Sequence, residues 1–399
     1  MGNTPILRLP DEILLCIITR LRIDRKYGDE ERNKHVFSVM LVCRQFHPIA
    51  QEVLLAQPFV RLLDVRGLVR MYVKYPQLAA AVSTLEVTAT RNVVKSRDPE
   101  DGSLYDFHAV GQEFEEACQG IIDQQRLSDA TKEDWNDALE IGSTHAFMGL
   151  LLVLLPNLKC LLLGTARLHE LPILGSILDT SHHFFDIIEA EALTYSREVM
   201  RLVAPRIQEL ELPRCWPSAE RDDTHRGLNT GACIRNMKPF RDLRTLIIPR
   251  RAFFGTTPRS FPVFGLEPLL EHVVILDDIL CRSTGVLKEL LEEKDSLPAL
   301  QKIGLYFEGS EAKFKLSDNP TYNGLRKLGA SLGVEVHNWH VGDVFDSDEF
   351  FSHNEDFLRP WLYNWMELAE LEIEAHEAKK ESCRTWAEYC LQAYGKINE

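Results

Sequence analysis

One phrase recurs down this chain: an apolar residue, two residues of any kind, a second apolar residue, one residue, then a third apolar residue. It stands at Val82/Leu85/Val87, Leu158/Leu161/Leu163, Ile207/Leu210/Leu212, Leu243/Leu246/Ile248, Leu270/Val273/Ile275 and Leu300/Ile303/Leu305, with a weaker copy at Val334/Val336. The last two apolar positions are two apart, which in extended chain puts them on one face of a sheet. Several copies follow a proline and a short connection, as in LPNLKCLLL, APRIQELEL and LPALQKIGL. A lone strand of this kind cannot bury its apolar face, so the copies predict a stack of parallel strands, each covering the next.

The phrase is the strand signature of a leucine-rich repeat. The middle residues 85, 161, 210, 246, 273 and 303 are 76, 49, 36, 27 and 30 residues apart. Regular repeats run about 20–29 residues, so the array is irregular, with connections of unequal length. An ordinary α/β domain that happens to be rich in leucine is the alternative. Residues 97–145 form an acidic insertion with two amphipathic helices, one facing inward through Phe114, Cys118, Ile121 and Ile122, the other through Trp135, Ala138, Leu139 and Gly142. Residues 217–231 and 256–262 read as exposed loops.

The first 55 residues have a different pattern. Pro10 suits a first helical turn, where its missing N–H costs nothing. Asp11 and Glu12 follow where the helix dipole favours negative charge. Ile13, Leu14, Ile17, Ile18 and Leu21 make one wide apolar face at helical spacing. After a polar stretch, Val39, Val42, Cys43 and Phe46 share a second face, with Pro48 expected to end or kink that helix near His47. Ile49, Val53 and Leu54 start a third. Three short helices hold more apolar surface than they can bury among themselves, which predicts either a partner or a role as cap on the body that follows.

Leu9-Pro10-Asp11-Glu12-Ile13-Leu14, then Ile17 and Leu21, then Leu41-Val42-Cys43-Arg44-Gln45-Phe46 resemble the F-box motif. Phe46 stands where that family more often has Trp, and the polar link between the helices is longer by roughly ten residues, a length that loops tolerate cheaply. The resemblance implies a three-helix orthogonal bundle that binds the Skp-type linker protein of cullin-RING ubiquitin ligases. It implies that Leu9, Pro10, Ile13, Leu14, Ile17, Val42, Cys43 and Phe46 build that interface or the bundle beneath it. Fungal F-box proteins commonly join the motif to an irregular leucine-rich body, and the segment from Trp135 to Leu163 is similar to one in those proteins.

The expected architecture is therefore α/β: an N-terminal three-helix F-box bundle over residues 1–56, an irregular leucine-rich-repeat-like solenoid with parallel strands over 57–345, and a C-terminal helical cap over 346–399. The strand positions between the buried ones would present side chains to a protein target. Thr84, Glu86, Glu209, Glu211, Arg244, Thr245, Lys302, Gly304, Tyr306 and His337 are the candidates. The expected role is a non-catalytic adaptor of an SCF-type ligase, joined through the linker to a cullin and holding a protein substrate. A leucine-rich interaction scaffold with no ligase role is the alternative.

Composition argues against other classes. The net charge of −15 disfavours nucleic acid, which attracts clustered Lys and Arg. Arg241, Arg244, Arg250 and Arg251 form the one small basic cluster. Nine cysteines without a CxxC pair, and no acceptor for N-glycosylation, point to a reducing compartment, cytoplasmic or nuclear. No secretory signal and no membrane span are expected, since the most apolar run, 147–155, is too short to cross a bilayer. No phosphate-cradling glycine motif, GxSxG elbow or HExxH is present. His337, His340 and Asp343 could sketch a metal site but suit surface polar residues better, and neither metal nor cofactor is expected.

Overall fold

The computed structural model describes residues 9–22, 34–88, 112–164, 171–178, 187–213, 234, 237–249, 252, 266, 268–277, 283–307 and 320–340. The expected C-terminal cap, the two expected loops, Arg250, Arg251 and Asp343 lie outside these residues.

Among the described residues three helices come first: α1 (Asp11–Arg22), α2 (Lys34–Val42) and α3 (Phe46–Ala56). The backbone amides of Ile13 and Leu14 both donate to the Pro10 carbonyl at 3.0 and 3.1 Å, so the proline sits just ahead of the helix it was expected to start. One expectation is corrected here. The helix of Val39 and Val42 ends at Val42, and Pro48 stands in the first turn of α3, where a proline lacks no bond it needs. Phe46 consequently belongs to α3 and turns inward. Leu14, Ile18, Val36, Phe46, Ile49, Ala50 and Val53 form a small core of their own.

The rest of the described chain is one α/β unit. Its eight strands are β1 (Phe59–Arg61), β2 (Thr84–Thr88), β3 (Cys160–Leu162), β4 (Glu209–Glu211), β5 (Thr245–Pro249), β6 (His272–Asp277), β7 (Lys302–Phe307) and β8 (Glu335–His340). They form one wholly parallel sheet whose spatial order is their chain order, which is compatible with a solenoid-like α/β fold. Leu85 pairs with Leu161, Leu161 with Leu210, Leu210 with Leu246, Leu246 with Val273, Val273 with Ile303, and Ile303 with Val336. All six predicted middle positions lie in that single buried row, and Val336 of the weak copy extends it.

A shared turn sets this register. The amides of Val82, Leu158, Ile207, Leu243 and Leu300 each bond the carbonyl three residues back, which turns the chain into the strand. Next, one carbonyl of each copy receives two amides of the following one: Ser83 those of Lys159 and Cys160, Lys159 those of Gln208 and Glu209, Gln208 those of Arg244 and Thr245. The apolar spacing chooses the face, and these bonds lock the stack. β1 escaped the sequence reading because Pro58, which precedes the Phe59–Glu86 pair and so stands opposite Leu85, takes the place of the phrase's middle apolar residue.

Between strands run α4 (Val65–Lys74), α5 (Pro76–Ala81), α6 (Gln112–Asp123), α7 (Asp129–Glu140), α8 (Thr144–Leu154), α9 (Pro172–Ile177), α10 (Ile187–Val203), α11 (Ser283–Glu292) and α12 (Pro320–Ser331). The two expected amphipathic helices are α6 and α7. Cys118, Ile122, Trp135 and Leu139 enter the main core, with Phe114, Ile121 and Ala138 packed against it. Gly142 instead stops α7 at φ 74°, with Ser143 N–H bonding Ala138 O at 2.9 Å, a left-handed helix ending that glycine makes without strain. Trp135 is fully buried, donates from Nε1 to Ala146 O at 3.1 Å and stacks on Tyr195 at 6.0 Å. No single helix among the described residues is long and apolar enough to cross a membrane.

Candidate docking surfaces

The N-terminal unit divides its apolar residues between two sides. On α1, Leu14 and Ile18 are buried, four apart and so on one face. Ile13, Ile17 and Leu21, also at four-residue steps, keep 47%, 40% and 38% of their surface exposed. On α2, Phe37, Leu41 and Val42 keep 49%, 81% and 65%. Of eleven large exposed hydrophobic residues described, these six fall within one 30-residue stretch on two helices packed against each other. Isolated exposed apolar residues are ordinary, but a grouping of this kind marks an interaction surface. A hydrogen bond of 3.5 Å from Gln45 Nε2 to Asp11 Oδ1 links the turn before α3 to the start of α1.

The eight residues expected at the linker interface therefore separate. Pro10, Ile13, Ile17 and Val42 are open, and Leu9 and Cys43 are half-buried. Leu14 and Phe46, at 1% and 7% exposed, hold the unit together and do not reach its surface. Phe37 and Leu41, the latter quoted with the motif, were not among the eight. Their four-residue spacing is the signal, legible once the helix is known to end at Val42.

The second candidate surface is the sheet face opposite the main core. Its rows follow from the register. One row runs Thr84, Cys160, Glu209, Thr245, His272, Lys302, Glu335, and the next runs Glu86, Leu162, Glu211, Ile247, Val274, Gly304, His337. The first row is largely half-buried. The second is closed along most of its length: Glu86 is 5% exposed, Leu162 2%, Glu211 3%, Ile247 2% and Val274 1%. Glu86 and Glu211, expected on an open recognition surface, are thus buried, in a row they share with the apolar Leu162, Ile247 and Val274. Glu209, Thr245 and Lys302 lie in the half-buried row, and His337 is half-buried at the far end of the other. Arg244 is exposed just before β5 and pairs with Glu271 at 2.8 Å. Tyr306 pairs in register with Leu276 and Trp339, and its side chain lies outside the described residues.

Burial governs the ionisation here. It pushes the Glu211 carboxyl well above the usual carboxylate range, with the charges of Glu86 and Glu209 adding to it. It raises Glu209 as well. It lowers His272, helped by Lys302. It also lowers His337, where the Glu335 carboxylate opposes it. Neither a family model, a curated protein nor a solved structure matches this chain. Among the described residues no group of three or more His, Cys, Asp or Glu side chains is arranged to hold a metal ion. Burial pushes the Cys118 thiol up to about 12, and burial with the Glu209 charge pushes Cys160 up to about 11, the reverse of what an activated thiol needs.

Proposed function

We propose that this chain is a substrate-recruiting adaptor of a cullin-RING, SCF-type ubiquitin ligase. In this reading α1–α3 are an F-box bundle that binds a Skp-type linker and, through it, a cullin. The leucine-rich-repeat-like solenoid holds a protein target. The observation that carries the reading is the outward apolar stripe Ile13, Ile17, Leu21 beside Phe37, Leu41 and Val42, on helices whose sequence resembles the F-box. Aliphatic side chains of this size each contribute about 1.5–3 kcal/mol when fully buried, so a partner that covers several of them is held firmly. The half-buried row with Glu209, Thr245 and Lys302, flanked by Arg244 and His337, supports target recognition by polar contacts. Ubiquitin transfer then needs no chemistry from this chain. Holding the target near a ubiquitin-charged enzyme raises its effective concentration.

Co-purification with a recombinant Skp-type linker tests this. The intact chain should capture the linker, and Ile17→Asp with Val42→Asp should lose it while unfolding at the same temperature. A folded intact chain that captures no linker, or a double variant that captures it equally well, overturns the reading in favour of a scaffold without a ligase role.

A further inference from the structure

α10 packs against both α7 and α8. The centre of that contact is well made: the Trp135 ring stacks on Tyr195, and Trp135 Nε1 donates to Ala146 O. Polar atoms on the same three helices are not. Asn136 Oδ1 on α7, His145 Nδ1 on α8, and Tyr195 Oη and Ser196 Oγ on α10 are buried with no hydrogen-bond partner among the described residues. Tyr195 is 1% exposed and Ser196 0%. Folded proteins leave few buried polar groups unpaired, so several at one helix junction call for a partner they can share.

We propose that an internal water molecule joins Ser143 Oγ, Tyr195 Oη and Ser196 Oγ, and so ties the acidic insertion to the crossover between β3 and β4. The inference does not rest on the ligase reading. Burial raises the Tyr195 phenol, and the hydroxyls of Ser143 and Ser196 oppose that shift, which places both near Oη. Neither makes a bond of normal length and angle with it. A gap of this kind is what one water spans, accepting from one hydroxyl and donating to the next. Ser143 is the residue before α8, and its side chain makes no bond to the helix end. Three hydroxyls also match the site's demand: each can donate or accept, and a water inside a protein makes about three hydrogen bonds. A neutral ligand fits because burying an ion without a paired charge is far costlier than burying water.

Thermal unfolding of the full chain beside Tyr195→Phe, Ser196→Ala and the double variant tests the bridge in solution. Each single change removes one partner of the water and should lower the melting temperature. The double variant should lose less than the sum of the two, because its second change acts on a bridge already broken. Hydroxyls buried dry give the opposite sign, since removing an unpaired polar group raises stability. A crystal structure that shows ordered solvent gives the direct reading: one water about 2.7–3.0 Å from each of the three oxygens. Single variants that melt higher, losses that add, or a direct bond from Tyr195 Oη to a serine Oγ with no water between them overturns the proposal.

Discussion

Ile13 and Leu14 are adjacent in one turn of α1, yet Leu14 is 1% exposed and Ile13 47%. A helix turns 100° per residue, so a wide apolar face on a thin bundle has one edge inside and one edge outside. Two neighbouring aliphatic residues thereby acquire opposite duties. Leu14→Ala should cost about 2–5 kcal/mol of local stability, the range for truncating a buried leucine, read as faster amide exchange in α1–α3. Ile13→Ala should change stability by less than about 0.5 kcal/mol but weaken capture of a Skp-type linker.

Glu211 should make the protein less stable as the solution becomes more alkaline. Its folded-state pKa is raised by burial and by Glu86 and Glu209, so above the unfolded carboxylate range the folded state binds more protons than the unfolded one. Stability is then lost as pH rises from that range through the folded value. Glu211→Gln should flatten the alkaline slope and raise the melting temperature at neutral pH. Urea titrations of both proteins from pH 4 to pH 9 check this, and an unchanged slope would count against the assignment.

His145 has the opposite sign. Burial pushes its imidazole down to about 4, and its Nδ1 has no hydrogen-bond partner among the described residues. Below the usual histidine range the unfolded chain takes up a proton that the folded chain refuses. Stability should therefore fall as pH drops from about 6.5 toward 4, by at most about 1.4 kcal/mol per pH unit. His145→Leu should remove that acid-side loss, measured by thermal unfolding at pH 7 and pH 4.5.

Gly329 lets α12 sit directly on β8. A Cβ there would stand 2.8 Å from Val336 Cγ2 and 2.9 Å from the Val334 carbonyl oxygen. The second neighbour is backbone, and Val334 N–H also bonds Gly329 O at 2.8 Å, so little room exists to yield. Gly329→Ala should destabilise by about 1–3 kcal/mol, as overpacking does, despite alanine being the better helix former. Gly324→Ala in the same helix meets no atom within 4 Å and should stabilise slightly, as helix propensity predicts. Chemical denaturation of the pair separates packing from propensity.

The polar candidates fared unevenly against the register. Glu209, Thr245 and Lys302 fell in one row as their alternation required, since side-chain direction in a strand is a local property. Burial of Glu211 was illegible, because whether the second face of a sheet meets water depends on what covers it.

By itself the sequence determined the strand phrase, the parallel stack and its row of buried middle residues, because apolar spacing and short turns are properties of neighbouring residues. It also marked the N-terminal helices as carrying surplus apolar surface. Tertiary structure decided which of those apolar residues face outward and which carboxylates lie buried. Those outcomes depend on the packing of segments remote in the chain, and no local pattern encodes the distance between them.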